Sequence, residues 1–224
     1  VNTDQTDNLY QYHSIVSCDI EGNFIIFWDD KRNGFHGDIY AQKYLSNGTT
    51  NGENFKAVDD FGSENQQCPS IAVDKNENFI ITWVDYRTEN AAVYAQRFSS
   101  DGTPLGINFK VNDDSLYNSP YYPSVATGPE GEFTITWSDF RTQACYDIYA
   151  QRYSVDGTPE GEQFKVNYLS ACMNYGAEVV YKQNGDFIIC WGDADEGSIK
   201  SHLSEKELFK KESGNKSFTG EPDI

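Results

Sequence analysis

The residues that could do chemistry recur in one short motif, in which a tryptophan is followed by an aspartate and an arginine. The motif reads WDDKR at 28–32, WVDYR at 83–87 and WSDFR at 137–141, and its fourth copy is WGDAD at 191–195. Converging arginines could bind a carboxylate or sulfate, because a guanidinium group offers a planar fork of donors. The motif is therefore either a binding site or a repeated structural element.

An aspartate and an arginine two residues apart can reach each other if the motif lies in a β-strand. Alternate residues of a strand share a face, so a charge-assisted hydrogen bond can form between them. The chain has five arginines, and the two outside this motif, Arg97 and Arg152, occupy equivalent positions of a second repeat. No arginine therefore marks a single site. We predict a structural role for Trp28, Asp30, Arg32, Trp83, Asp85, Arg87, Trp137, Asp139, Arg141 and Trp191.

The fourth copy lacks the arginine and places Asp193 and Asp195 on one face of the same strand. Two carboxylates without a cation would raise the pKa of one of them or recruit a cation. The alternative is simple divergence, with water and a nearby lysine around the two carboxylates.

The motif belongs to a repeat that runs through the chain. The four tryptophans are spaced 55, 54 and 54 residues apart. IYAQKY at 39–44 recurs as VYAQRF at 93–98 and IYAQRY at 148–153. One unit fits four short strands, A to D, with Asp-Gly hairpin turns between C and D in the second and third copies. Four antiparallel strands repeated at this period are typical of a β-propeller blade.

The predicted fold class is all-β, a β-propeller of four-stranded antiparallel blades of about 54 residues. Strand B of a blade lies between neighbouring blades, which explains why FIITW at 79–83 is apolar on both faces. We expect about four blades of a larger ring, whose remaining blades come from the rest of a longer chain or from a second copy. The predicted blades are 13–59, 68–113, 122–168 and 176–213, with 1–12 as the end of a preceding blade plus a connector and 214–224 as a connector and the start of a further blade.

The charge of the chain excludes some partners. Lys and Arg number 17 against 35 Asp and Glu, which gives a net charge of −18. Such a surface repels phosphate backbones, so we expect neither nucleic acid nor anionic membrane as a partner. No apolar run is long enough to cross a bilayer, so no membrane insertion is expected. A cation or a glycan is a more natural ligand, unless the acidity serves only solubility.

Candidate ligand-binding residues lie in the B–C and D–A loops, which share one face of a propeller. We call this face the loop face. Its loops vary between copies, and variable loops on a rigid repeat are where binding specificity usually resides. Aromatic rings with amide and carboxylate edges suit sugar rings, although tyrosines could also pack the loops against one another. The candidates are Tyr117, Tyr121, Tyr122, Tyr146 and Tyr175.

Few residues are placed to hold a metal ion. Asp59–Asp60 and Asp113–Asp114 could help to hold Ca²⁺, although neither has the spaced ligands of an EF-hand. No other cofactor is expected, because the five cysteines have no zinc-binding spacing. His13, His36 and His202 fall at unrelated repeat positions, which argues against a catalytic triad.

Two cysteines are placed to form a disulfide. Cys145 lies in the B–C loop of the third blade, and Cys172 lies in the D–A loop that leaves the same blade. Both loops belong to the loop face, so we predict a Cys145–Cys172 disulfide formed in an oxidising compartment. The alternative is that all five thiols are reduced. Cys18 and Cys190 take strand positions that hold valine or threonine in other copies, which predicts small buried thiols.

The pattern GNFxxxWxDxR…DIYAQR[FY]…GxxFxVN resembles tandem repeats of bacterial secreted and cell-surface proteins. It is also distantly similar to propellers of the sialidase superfamily, whose Asp-box is half met by SCDIEGNF at 17–24. The resemblance implies an extracellular or cell-surface location and a non-catalytic binding or scaffold role, with no catalytic residue identified. The ligand would be a glycan or a protein bound on the loop face. The alternative is a fragment of a sialidase-like or other glycan-processing enzyme.

Overall fold

The chain folds into β-strands arranged in antiparallel sheets. A computed structural model describes residues 10–32, 37–58, 64–88, 90–113, 119–167, 173–195 and 197–204. Over these residues there are fifteen strands in four sheets, and no helix. Each sheet keeps its strands in chain order, so consecutive strands are hydrogen-bonded neighbours.

Each sheet corresponds to one copy of the sequence repeat. The first sheet contains β1 (Gln11–Cys18), β2 (Phe24–Asp30), β3 (Asp38–Tyr44) and β4 (Phe55–Lys56). The second contains β5 (Gln66–Val73), β6 (Phe79–Asp85), β7 (Ala92–Phe98) and β8 (Phe109–Lys110). The third contains β9 (Pro120–Thr127), β10 (Phe133–Asp139), β11 (Asp147–Tyr153) and β12 (Phe164–Lys165). The fourth contains β13 (Asn174–Tyr181), β14 (Phe187–Asp193) and β15 (Ser198–Ser204).

The predicted Asp-Gly turns follow the third strands of the second and third sheets. Asp101 accepts hydrogen bonds from the Ser99 hydroxyl at 2.6 Å and the Thr103 amide at 2.8 Å. Gly102 has a φ of 94°, a conformation that glycine adopts without steric cost. Side-chain hydrogen bonds and a positive φ at glycine therefore reverse the chain at this point.

The sheets are the blades of a β-propeller. The first strands of neighbouring sheets pack against one another, whereas the fourth strands lie at the other edge of each sheet. The second strands β6 and β10 are buried along their whole length, because they lie between neighbouring sheets. The predicted all-β propeller is thus confirmed, and we number its blades one to four along the chain.

Each tryptophan of blades two to four packs against the preceding blade. Trp83 joins a buried cluster with Phe27 and Ile39 of the first blade. Trp137 likewise packs with Ile80 and Val93 of the second blade. The large ring and the branched chains of the neighbour remove each other from water, which is the main force that holds adjacent blades together.

The basic residue of the YAQK or YAQR motif adds a polar contact to the next blade. Lys43 donates a hydrogen bond to the backbone carbonyl of Ser100, and Arg97 donates one to the carbonyl of Val155 at 2.7 Å. Both acceptors lie in the turn after the third strand of the following blade. In the fourth blade the equivalent residue is Leu203, which is 48% exposed. The second repeated basic position is therefore an inter-blade contact.

The structure describes only part of the two ends of the chain. SIKSHLS, within the predicted fourth blade 176–213, forms the third strand of that blade, β15. Residues 1–9 and 205–224 lie outside the described residues. The predicted segments 1–12 and 214–224 and the blade boundaries therefore stay predictions.

The expectation of buried thiols at Cys18 and Cys190 is wrong for Cys18, which is exposed. Cys18 lies opposite Phe24 in the register of β1 and β2, so both side chains are on one face of the first blade. That face points away from the second blade. No described sheet packs on that face. Cys190 is half-buried, on the opposite, outward face of the fourth blade. Both are free thiols.

Candidate functional site

The repeated Trp–Asp–Arg motif forms a hydrogen-bonded unit at the end of the second strand. Trp83 Nε1 donates to Asp85 at 2.8 Å, and Arg87 Nη2 donates to the same carboxylate oxygen at 2.6 Å. Arg87 Nη1 also reaches Asn108, just before β8, at 3.0 Å. Its guanidinium lies 4.2 Å from the ring centroid of Tyr94 in β7. One arginine thereby links three strands of its own blade.

The first and third blades repeat this unit. Trp28 Nε1 donates to Asp30 at 2.8 Å, and Arg32 Nη2 does so at 2.7 Å. Burial opposes ionisation of Asp30, but the hydrogen bonds from Arg32 and Trp28 outweigh it and hold the pKa of Asp30 below its ordinary value. In the third blade Arg141 bonds Asp139 at 2.7 Å and also Asp113, in the connection from the second blade, at 3.2 Å. These contacts support a structural role for the motif.

The fourth copy of the motif has no arginine, and its tryptophan has a different hydrogen-bond partner. Trp191 Nε1 donates to Asn174 of β13 at 3.0 Å, where the other tryptophans bond an aspartate. Asp193 is buried, whereas Asp195 is exposed. The indole has therefore changed its partner to a neutral side chain of the neighbouring strand.

The residues at the loop-face ends of the first and second strands differ between blades, whereas the motifs described above are repeated. Each first strand has a β-bulge there, and the bulge residue has a positive φ of 47° at His13, 56° at Cys68, 48° at Tyr122 and 62° at Gly176. In each blade, three residues form what we call "the rim". They are the bulge residue, the residue before it in the first strand, and the residue that follows the second strand. The rim consists of Tyr12, His13 and Lys31 in the first blade, Gln67, Cys68 and Tyr86 in the second, Tyr121, Tyr122 and Phe140 in the third, and Tyr175, Gly176 and Ala194 in the fourth.

The backbone of the rim favours glycine. A positive φ costs a residue with a side chain roughly 1 kcal/mol or more, and only the fourth blade uses glycine at the bulge. His13, Cys68 and Tyr122 keep side chains at a position that does not favour them. Strain of this kind is often associated with function, which makes the rim our candidate site.

Four of the five predicted tyrosines meet at the rim of the third and fourth blades, where Tyr146, just before β11, lies against the rim residues Tyr121 and Tyr175. The ring of Tyr146 lies 6.0 Å from Tyr121 and 4.8 Å from Tyr175, measured between centroids. Tyr122 is 6.3 Å from Tyr121 and is 54% exposed. Phe140 completes the group, 4.8 Å from Tyr146. We call these five rings the tyrosine cluster.

The tyrosine cluster is held by backbone contacts between two blades. The carbonyl oxygen of Tyr146 accepts hydrogen bonds from the amide of Asn174 at 3.3 Å and from its side chain at 3.1 Å. Partial burial, followed by the nearness of Tyr121 and Tyr175, raises the pKa of the Tyr146 hydroxyl. That hydroxyl therefore stays protonated at neutral pH and can donate a hydrogen bond to a ligand.

Several predicted site residues lie outside the described residues. They include Tyr117, the fifth candidate tyrosine, and Cys172. Cys145 is disulfide-bonded, and its pairing with Cys172 stays a prediction. Tyr146, which follows Cys145, makes a parallel β-bridge with Met173, which follows Cys172.

The suggested calcium ligands are also only partly described. Asp59, Asp60 and Asp114 lie outside the described residues, and Asp113 pairs with Arg141. Within the described ranges, no three His, Cys, Asp or Glu side chains are grouped so that they could hold a metal ion. The same part of the chain has no helix long and apolar enough to span a membrane.

The sequence interpretation missed an acid–base pair between His13 of the rim and Asp29 of β2. His13 Nδ1 lies 2.6 Å from Oδ2 of Asp29, whose side chain is only 5% exposed. Burial raises the pKa of Asp29 to about 6, although His13, the Cys68 backbone and Lys31 oppose the rise. Oδ1 of Asp29 is buried and has no hydrogen-bond partner. The thiol of Cys68 stays neutral, because burial and then the charge of Asp29 raise its pKa to about 11.

A signal for this pair was present in the repeat. WDDKR carries a second aspartate, Asp29, where the other copies have Val84, Ser138 and Gly192. A carboxylate in a strand position that is otherwise small or apolar indicates a special environment. The bulge that brings His13 to Asp29 could not be read from the residue pattern.

Comparisons with known proteins show a relationship in fold. No family model matches the chain, and no curated protein matches it. Among solved structures, a Hadza microbial sialidase, Hz136, superposes with a TM-score of 0.66 at 13% identity, over 88% of this chain and 44% of its own. An endo-arabinase from Bacteroides thetaiotaomicron superposes with a TM-score of 0.53 at 19% identity, over 84% of this chain and 72% of its own. An α-L-arabinanase from Penicillium chrysogenum, solved with arabinobiose, superposes with a TM-score of 0.60 at 13% identity, over 92% of this chain and 59% of its own.

The chain spans less than half the length of the sialidase. Identities this low carry information on the fold and leave activity open. The comparisons therefore support a distant propeller relationship with sialidase-like and arabinanase propellers.

Proposed function

We propose that this chain is part of an extracellular, non-catalytic propeller that binds a glycan on its loop face. The observation that carries the proposal is the tyrosine cluster, in which the exposed ring of Tyr122 lies beside rings that span two blades. Aromatic rings stack on the apolar faces of sugars, and the hydroxyls at their edges hydrogen-bond to sugar oxygens. A protein ligand on the same face is the alternative within this class.

Two further observations support a glycan. The net charge of −18 disfavours polyanionic partners, whereas a neutral oligosaccharide is not repelled. The three structural neighbours described above carry names of enzymes that act on glycans. We infer that the rim of this propeller likewise binds a glycan.

A glycan array followed by calorimetric titration tests this proposal. Tyr122→Gly gives the third blade the residue that the fourth blade uses at the same bulge, so it removes the ring without adding backbone strain. We expect Tyr122→Gly to weaken binding about tenfold, since loss of a stacked ring costs roughly 1–2 kcal/mol. The control is Lys75→Gln, which changes a residue in the turn between β5 and β6, on the face opposite the loop face. Unchanged glycan binding in Tyr122→Gly would remove the tyrosine cluster from the site.

A glycan-processing activity is the second candidate, and Asp29 favours it. A carboxyl whose pKa is raised by burial is a common general acid in glycoside hydrolysis. Such hydrolysis normally uses two carboxyl groups across the scissile bond. The rim residues carry no carboxyl group themselves, and Asp29 of β2 contacts the rim through His13.

Product analysis on the glycans found by the array separates the two candidates. Release of shorter sugars by the wild type, and its loss in Asp29→Asn, would establish an enzyme. Binding without turnover supports the non-catalytic proposal.

A further inference from the structure

The rim of the first blade is chemically different from the tyrosine cluster. Lys31 occupies the position of Tyr86 and Phe140. Its ammonium lies 5.9 Å from the ring centroid of Tyr12, which stacks on Tyr10 at 5.8 Å with an interplanar angle of 19°. In a chain with twice as many acidic as basic residues, this places a cation beside two exposed rings.

His13 adds a second polar group at this place. Its side chain is 53% exposed, and Asp29 fixes the ring through Nδ1. The second ring nitrogen, Nε2, is therefore left to contact a ligand.

We propose that His13, Lys31 and Tyr12 form a subsite for a carboxylate-bearing sugar. The ammonium of Lys31 and the Nε2–H group of His13 bind the carboxylate, and the ring of Tyr12 stacks on the apolar face of the sugar. The subsite deepens the proposed glycan-binding function and rests on it.

The protonation of the His13–Asp29 pair sets the character of Nε2. When the pair holds one proton, Nδ1–H donates to Asp29 and Nε2 is an acceptor, which repels a carboxylate. When the pair holds a second proton, on either residue, Nε2–H is a donor. The groups that face Asp29 from its own blade are His13 and Lys31, and Cys68 faces it from the second blade as a neutral thiol. Because burial raises the pKa of Asp29 to about 6, the pair gains its second proton as the pH falls through about 6, and binding of a carboxylate strengthens over the same range.

NMR titration with two matched probes tests this subsite. Methyl β-D-glucuronide and methyl β-D-glucoside differ only in a carboxylate against a hydroxymethyl group. Each is added to the labelled protein at pH 6 and pH 8, while the ring signals of His13 are followed. We expect the glucuronide to bind about tenfold more tightly than the glucoside at pH 6, with most of this preference lost at pH 8.

The variants use residues that other blades already hold at the same positions, so they should fold. Lys31→Tyr copies the second blade, and His13→Gly copies the fourth. For His13→Gly, the signals of Tyr12 and Lys31 are followed instead. Both variants should lose the preference for the glucuronide, whereas Lys75→Gln, which removes one positive charge on the opposite face, should keep it.

Equal affinity for the two probes at pH 6, or a preference that survives in both variants, would overturn the subsite. Either result leaves the glycan-array test of Tyr122→Gly unaffected, so failure of the subsite and failure of the proposed function remain distinguishable. A glucuronide preference that depends on His13 and Lys31 supports the subsite even if the array finds no ligand for the tyrosine cluster.

Discussion

Replacing Asp29 should stabilise this protein at neutral pH. Burial raises the pKa of Asp29 from 3.8 to about 6, so the folded protein holds this proton more tightly than the unfolded chain does. Stability is therefore highest below the unfolded pKa and is lost as the pH rises through the folded pKa. Above pH 6 the cost of ionising Asp29 in the fold is about 3 kcal/mol, and at pH 5 it is about half of that.

Asp29→Val provides the test, because the second blade holds Val84 at this position. Urea unfolding at pH 7.5 should show the variant to be more stable by about 2–3 kcal/mol, less any loss from the contact with His13. The gain should shrink to about half at pH 5. Asp29→Ser, which copies Ser138 of the third blade, checks that the effect comes from the charge and not from the added apolar side chain.

A variant that is less stable than the wild type at pH 7.5, or a gain that does not change with pH, would refute the reasoning. The first result would mean that His13 and its surroundings fully compensate the buried carboxylate, and the second that the gain does not come from its charge. Confirmation would show that the fold retains Asp29 at a cost in stability, as is common for groups kept for function.

Three further predictions concern the structural parts of the fold. Trp137→Ala should destabilise by about 3–5 kcal/mol in urea unfolding, because the ring is fully buried between blades; a loss below about 1 kcal/mol would contradict this. Arg87→Lys should cost about 1–2 kcal/mol without changing ligand affinity, since lysine cannot bond Asp85 and stack on Tyr94 together; lost binding at unchanged stability would reverse the interpretation. Non-reducing peptide mapping should recover Cys145 linked to Cys172, and reduction should cost roughly 3–4 kcal/mol; free alkylation of both would exclude the disulfide.

The sequence predicted the parts of the fold that repeat. Four copies of one pattern identify the strands and the blade, and a residue present in each copy, such as Trp83, has to serve the shared structure. The alternation of side chains in a strand correctly brought Asp85 and Arg87 together. The stacking of Arg87 on Tyr94 was not predicted, because it depends on the register between two strands.

The candidate site was predicted only in part, for a physical reason. Tyr121, Tyr146 and Tyr175 could be assigned to one face from the connectivity of a propeller. The pair of His13 and Asp29 could not, because a β-bulge shifts the register of β1 between Tyr12 and Ile15. A bulge changes which side chains meet without leaving a clear residue signature.

The central claim is that repeated positions build the propeller and the variable rim binds the ligand. The most direct measurement determines stability and glycan affinity on the same two variants, Tyr122→Gly and Trp137→Phe. We predict that Tyr122→Gly keeps its stability and loses about tenfold in affinity, because the ring is exposed at a bulge that favours glycine. Trp137→Phe should lose about 1–3 kcal/mol of stability, since it empties part of a buried site and leaves Asp139 without its indole donor, and should keep its affinity. The opposite assignment, with affinity lost in Trp137→Phe at full stability and unchanged in Tyr122→Gly, would contradict the account.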